Sequence, residues 1–166
     1  KKYAAAKESC RRAIELDPDH FAAYHTMGQL HYDWGEVAES IRWYERSIAR
    51  NPRSPATLGN LGAALVQSGK AEEGFRLLEE SYAIQRTSLC CASLALTHGI
   101  LRRPGWETER RRLFEEAIRI DPKCWMALAN LGVDLYMAEG KLLEGLEKLR
   151  RAAELNPGWH LTHAHL

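Results

Sequence analysis

An all-α solenoid of stacked antiparallel helix pairs is the fold class the sequence predicts, and three observations predict it. Pro18, Pro52, Pro122 and Pro157 are separated by 34, 70 and 35 residues, so the punctuation returns after one period or two. Gly28, Gly62 and Gly132 stand 34 and 70 apart, and Gly35 and Gly69 are again 34 apart, so a second marker shares the register. Each period holds two stripes of apolar residues at three- and four-residue intervals with a Gly-centred break between them, the pattern of two amphipathic helices. Such a pair cannot cover its own apolar face, so each must be buried by its neighbour in the chain.

The elements follow in order. Residues 1–17 carry Tyr3, Ala6, Cys10, Ala13, Ile14 and Leu16 on one stripe closed by Asp17-Pro18, and read as the second helix of a preceding repeat. Residues 18–51 form the most regular repeat. A helix near 20–34 places Phe21, Tyr24, Met27, Leu30 and His31 on one face, Trp34-Gly35-Glu36 breaks it, and a helix near 37–50 carries Val37, Ile41, Tyr44 and Ile48. Pro52 ends the unit, because it lacks an N–H and pushes the residue before it out of the helical region. Residues 52–85 repeat the plan with Leu58, Leu61 and Leu65, a break at Ser68-Gly69-Lys70, then Phe75, Leu78 and Tyr82. Arg86 stands where a proline is expected, so the next helix depends on Thr87 or Ser88 to accept from its first free amides.

Residues 86–121 are the irregular repeat, with Leu89, Ala92, Leu96 and Ile100 on the first helix and the long turn Leu101-Arg102-Arg103-Pro104-Gly105-Trp106. Its second helix, near 107–120, carries Leu113, Phe114, Ala117 and Ile118. Residues 122–156 restore the plan with Trp125, Leu128, Leu131 and Leu135, then Leu146, Leu149 and Ala152, and residues 157–166 begin a further helix. The whole of 1–166 is expected to be one array, and a chain that opens in a second helix and stops in a first reads as a segment of a longer one.

Composition and motifs narrow the function. A formal charge of +1, from 23 basic and 22 acidic side chains, gives no electrostatic case for nucleic acid as a partner. No apolar run is long enough to cross a bilayer, so membrane insertion is not expected. Cys10, Cys90, Cys91 and Cys124 lack the paired spacing of a zinc site or a disulfide framework, which points to reduced, packed thiols and a cytoplasmic compartment. As helix neighbours, Cys90 and Cys91 should point in different directions, one to the core and one to the exposed face.

His160, His163 and His165 are the nearest approach to a metal motif. Only two share a helix face and no Cys or carboxylate joins them, so no metal is expected. The chain has no phosphate-binding loop, nucleophile elbow, zinc-protease helix or paired catalytic carboxylates, so neither catalysis nor a cofactor is expected. Residues 102–123 hold six Arg and one Lys against five carboxylates, a nearly compensated set that reads as a solvated outer face. Trp43, Leu77 and Leu113 recur on the second helices and read as packing between repeats.

These residues resemble the tetratricopeptide repeat family, whose pattern is W-x2-L-G-x2-Y, then A-x3-F, then P. The pattern falls on Tyr24, Met27, Gly28 and His31, then Ser40, Tyr44 and Pro52; on Leu58, Leu61, Gly62 and Leu65, then Gly74 and Leu78; and on Leu128, Leu131, Gly132 and Leu135, then Gly145, Leu149 and Pro157. In the same register the irregular repeat has Leu96 at the glycine position and Gly99 at the tyrosine position, so an altered helix crossing is expected there.

The resemblance implies a right-handed superhelix whose first helices line a concave groove for protein or peptide partners. Carried onto this chain, the groove would be lined by Thr26, Gln29 and Asp33; by Asn60, Ala63 and Gln67; by Ser93 and Thr97 with Leu101; and by Asn130, Val133 and Met137. Asn60 and Asn130 each precede a repeat glycine by two, similar to part of the asparagine ladder in a glycosyltransferase superhelix. The carboxylate clamp of chaperone-binding members would fall on His25, Gln29, Asn60, Cys90 and Leu94, where only Asn60 keeps a clamp residue. A chaperone C-terminal carboxylate is therefore not the expected ligand. What the resemblance implies is a non-catalytic protein–protein interaction scaffold. The alternative is the substrate-recognition arm of a larger enzyme, such as a glycosyltransferase, with its catalytic domain outside these residues. Self-association through the exposed ends of the array is a further expectation.

Overall fold

The structure, a computed structural model, describes residues 2–138 and 140–158. Among them all regular structure is helical: α1 (Lys2–Leu16), α2 (Phe21–Asp33), α3 (Val37–Arg50), α4 (Pro55–Gln67), α5 (Ala71–Ile84), α6 (Ser88–Leu101), α7 (Trp106–Ile120), α8 (Trp125–Ala138) and α9 (Leu142–Leu155). The helices fall into two compact units, an N-terminal one ending at Arg86 and a C-terminal one beginning at Thr87. The first holds α1 and the pairs α2–α3 and α4–α5; the second holds the pairs α6–α7 and α8–α9. His160, His163 and His165 lie outside the described residues.

Within the first two pairs the helix-to-helix turn is closed by backbone geometry that glycine permits. Gly35 and Gly69 have φ of +77° and +89°, the left-handed conformation that a Cβ disfavours. In the first turn, the N–H groups of Gly35 and Glu36 donate back to the carbonyls of Tyr32 and His31, and Gly69 and Lys70 repeat this onto Val66 and Leu65. These bonds satisfy carbonyls that a helix end would otherwise leave bare. Second helices end differently. Asp17 and Asp121 each accept a backbone N–H two residues on, from Asp19 at 3.0 Å and from Lys123 at 2.9 Å, and so shape the tight turn through the following proline.

Close approach within a pair depends on small residues at the crossing. A Cβ built on Gly62 would lie 2.9 Å from the carbonyl oxygen of Gly74 and 2.8 Å from Leu78, and one on Gly132 would lie 3.0 Å from the carbonyl oxygen of Gly145. The backbones of α4–α5 and of α8–α9 therefore touch at these points. Serines on the second helices reach back to the start of the first: Ser47 Oγ donates to the Phe21 carbonyl at 2.9 Å and Ser81 Oγ to that of Pro55 at 2.8 Å.

The core of the N-terminal unit gathers Tyr44, Leu61, Ala64 and Leu65, with Tyr32, Val37, Ile41, Ile48 and Leu77 packed against it. Leu128, Ala129 and Ala152, with Ile118 against them, form a cluster in the C-terminal unit. Leu77 and Leu113 are thus core residues, while Trp43 is half-buried between the rings of Tyr24 and His31. Cys90 and Cys91 are both buried, which corrects the expectation that one of them faces the exposed side. Thr87 caps α6, its hydroxyl accepting from the Cys90 N–H at 3.2 Å, as Ser54 caps α4 by accepting from Thr57.

Those two caps stand 33 residues apart, one fewer than the repeat period, and burial follows the caps. Thr57, Leu58, Leu61, Gly62 and Ala64 are buried on α4, and the residues 33 further on, Cys90, Cys91, Leu94, Ala95 and Thr97, are buried on α6. The irregular repeat therefore reads Cys91, Leu94, Ala95 and His98 where its neighbours have Leu58, Leu61, Gly62 and Leu65. Leu96 does not occupy the glycine position, nor Gly99 the tyrosine position. Both expectations are corrected by one residue, because the missing proline lets the cap, rather than the period, set where the helix starts.

Candidate partner-binding surface

In the N-terminal unit, α2 and α4 carry the groove residues that the family pattern nominates. Gln29 is the hub. Its side-chain oxygen accepts from Asn60 Nδ2 at 3.0 Å and from the Tyr44 hydroxyl at 3.4 Å, while its own amide nitrogen donates to Asp33 Oδ1 at 2.7 Å. Gln29 and Asn60 are half-buried; Asp33, Thr26 and Gln67 are exposed, and Ala63 is half-buried. Thr26 turns its hydroxyl onto the Ala22 carbonyl at 2.9 Å, a bond inside its own helix. Burial first, and then the nearby Asp33 carboxylate, push the Tyr44 hydroxyl well above the usual phenol range, so it remains a donor at any working pH. The structure thus brings Gln29, Asp33 and Asn60 together through one amide network.

Behind this surface is a buried hydroxyl cluster. Thr57 Oγ1 lies 3.0 Å from His25 Nδ1, 2.9 Å from Ser54 Oγ and 3.4 Å from Ser47 Oγ. Burial lowers the His25 pKa, favouring the neutral ring. His25 is therefore committed to α4.

The C-terminal unit differs. Asn130 does not reach across to another helix: its Nδ2 donates to the Met126 carbonyl at 2.9 Å, in its own helix. Val133 and Met137 are exposed. Ser93 and Thr97 are buried, and the Thr97 hydroxyl is spent on the Ser93 carbonyl at 2.7 Å. Their expected place on an open groove is corrected. With the register set by Thr87, Ser93 stands at the Asn60 position, and the two positions after it fall on Leu96 and Ile100 in place of Thr97 and Leu101.

Reading by the repeat glycine missed Leu96 and Ile100; the 33-residue offset between the capping residues Ser54 and Thr87 was the signal for them. It also missed Arg110, which occupies the position of Gly74 and Gly145. A Cβ on Gly74 would press on Val66, and one on Gly145 on Tyr136, whereas across from Arg110 stands Gly99, whose Cβ would lie 3.3 Å from Arg110 Nη1. Large and small residues are exchanged across this one crossing. Arg110 goes on to pair with Asp134 of α8 at 3.2 Å, both side chains being largely covered. Desolvation raises the Asp134 pKa despite the lowering influence of Arg110 and Arg111.

Among the described residues no group of three or more His, Cys, Asp or Glu is placed to hold a metal, and no helix is long and apolar enough to cross a membrane.

Comparisons with known proteins bear on both units. A family model described as the tetratricopeptide repeat matches residues 1–55 and 25–88. The chain is 27% identical over 81 residues to the Tetratricopeptide repeat-containing protein trd-1 of Caenorhabditis elegans. That match covers 49% of this chain and 10% of that protein, so the chain spans a tenth of that relative's length. Among solved structures, a Cut9–Hcn1 complex of the APC/C gives a TM-score of 0.78 at 13% identity, over 92% of this chain and 29% of that one. The pilF protein of Pseudomonas aeruginosa gives 0.75 at 19% identity, over 93% and 69%. A thermophilic TPR protein of Thermus thermophilus, TTC0263, gives 0.73 at 19% identity, over 98% and 88%. At these identities the likeness shows the fold alone, which is of the all-α tetratricopeptide-repeat solenoid class. Proteins of this class are generally non-catalytic scaffolds for protein–protein interaction. With the family model covering more than half of its residues, this chain belongs to the tetratricopeptide repeat family.

Proposed function

We propose that the chain is a non-catalytic scaffold that binds partner segments on the first-helix surface of its helix pairs. The observation that carries this reading is the amide network of Gln29, Asn60 and Asp33, which joins α2 to α4 at an accessible surface. A primary amide has two N–H donors and two acceptor lone pairs, and the contacts within the network use only part of that capacity. The remainder suits the backbone of a peptide lying across the two helices. An amide held by another amide is also pre-oriented, which lowers the entropy lost when a partner binds.

The test is selection of a random dodecapeptide phage library on the immobilised full chain. Selected clones are then rebound to a Gln29→Ala/Asn60→Ala variant and to variants on α6 and α8. Loss of binding of tenfold or more on substituting at least one of these first-helix surfaces is the expected result. Clones whose binding ignores every first-helix substitution would overturn the proposal.

A further inference from the structure

We infer that the first-helix surface of the C-terminal unit takes a partner segment through bulky apolar side chains that have an acidic residue beside them. This rests on the scaffold reading above and specifies the partner's chemistry for one of its surfaces.

The corrected register is the starting point. Leu96 and Ile100 on α6, and Val133 and Met137 on α8, stand where the N-terminal unit has Gln29 and Asp33 on α2, and Ala63 and Gln67 on α4. A surface that one unit makes polar, the other makes apolar. Ile100 is 58% exposed, Val133 41% and Met137 74%. Large apolar side chains scattered singly in water are ordinary, but several at matching positions on neighbouring helices mark an interaction surface.

One side chain holds the two helices together at this place. Arg110 Nη1 lies 3.3 Å from where a Gly99 Cβ would be, and Nη2 lies 3.2 Å from Asp134 Oδ1. The residue before Ile100 and the residue after Val133 are therefore both within reach of a single guanidinium. Asn130 is consistent with the same register. Its counterpart Asn60 donates to Gln29, but the position of Gln29 is held in α6 by Leu96, which cannot accept a hydrogen bond. The Asn130 amide turns instead to its own helix.

Charge completes the description of the partner. The guanidinium groups of Arg102 and Arg110 both lie against the Trp106 ring, 5.8 and 6.0 Å from its centroid. The charge of Arg110 is met by Asp134, whereas exposed Arg102 has no carboxylate partner among the described residues. An aspartate or glutamate next to the apolar anchors would be drawn to Arg102, and a lysine or arginine there would be repelled.

The same phage library on the full chain tests this. One class of enriched dodecapeptides should carry at least two of Leu, Ile, Met, Phe or Trp together with Asp or Glu. The binding of this class should fall tenfold or more in Ile100→Glu/Met137→Glu and severalfold in Arg102→Glu, whereas clones held by the amide network of α2 and α4 should respond to Gln29→Ala/Asn60→Ala instead. Ile100, Met137 and Arg102 are exposed, so circular dichroism and thermal melting should show the variants at these positions folded as the parent is. A pool in which every clone responds only to Gln29→Ala/Asn60→Ala would overturn this inference and leave the scaffold reading standing. Clones that respond to neither set, or a selection that enriches nothing, would overturn both. Clones that respond to Ile100→Glu/Met137→Glu but are polar or basic, or that ignore Arg102→Glu, would refute the chemistry assigned to the partner.

Discussion

Gly62→Ala sets two measurable effects against each other, and the structure decides which wins. An alanine in the middle of a helix is favoured over glycine by up to about 1 kcal/mol. Against this, the new Cβ would lie 2.9 Å from the Gly74 carbonyl oxygen, 2.8 Å from Leu78 Cγ and 3.2 Å from the Leu78 nitrogen. Two of these atoms belong to the backbone of α5 and cannot rotate away, and Leu78 is fully buried. Relief requires α4 and α5 to part by several tenths of an ångström along a packed seam, and overpacking of that kind costs about 1–3 kcal/mol. The net expectation is a loss of about 1–2 kcal/mol, read as a lower urea midpoint at unchanged slope. Faster amide exchange should accompany it in α4 and α5, since stability in repeat proteins is largely a sum of local terms. A variant as stable as the parent, or more stable, would refute the claim that these backbones are in contact. The irregular pair already has Ala95 at this position, opposite Arg110 rather than a glycine, so the same methyl group is accommodated where the crossing is built differently.

Three further outcomes are expected. Thr87→Ala should cost about 1 kcal/mol through loss of the α6 cap, with Thr87→Ser close to neutral, as measured by urea unfolding. For His25, whose folded pKa is depressed by burial, the unfolded chain binds the proton more readily. Stability should therefore be fully present above pH ~6.5 and fall as the pH drops below it, and comparing urea midpoints of the parent and His25→Gln across pH 7.5 to 5 would show a shallower dependence in the variant. Asp134→Ala should destabilise by about 1–3 kcal/mol by stranding the covered Arg110 guanidinium, and Arg110→Met in the same background should recover part of that loss; additive effects in the double-mutant cycle would show that the two side chains are not coupled.

Much of the architecture was legible because it is local and repeated. Apolar residues at helical intervals, prolines that stop a helix and glycines that turn the chain act through their immediate neighbours, and the repeat period multiplies each signal. The helix pairs, the turns at Gly35 and Gly69 and the family itself follow from these features. The amide pair of Asn60 was legible only in part, since its position relative to Gly62 is local, but its partner Gln29 lies 31 residues away.

What the sequence alone determined is therefore the class of fold, the period and the candidate surface in the repeats that keep their punctuation. Tertiary structure alone decided which side of α6 is exposed. A slip of one residue turns a helix by about 100°, and with Pro absent at residue 86 and both Thr87 and Ser88 able to cap, the choice between Thr97 and Leu96 could not come from the proline period. It was settled by what packs: the Thr87 cap, the burial of Cys91, Leu94 and Ala95, and the space that Gly99 leaves for Arg110. The cap is local, but the burial and the Gly99–Arg110 crossing depend on packing against other helices, and together they turn one surface of a repeated fold from polar to apolar.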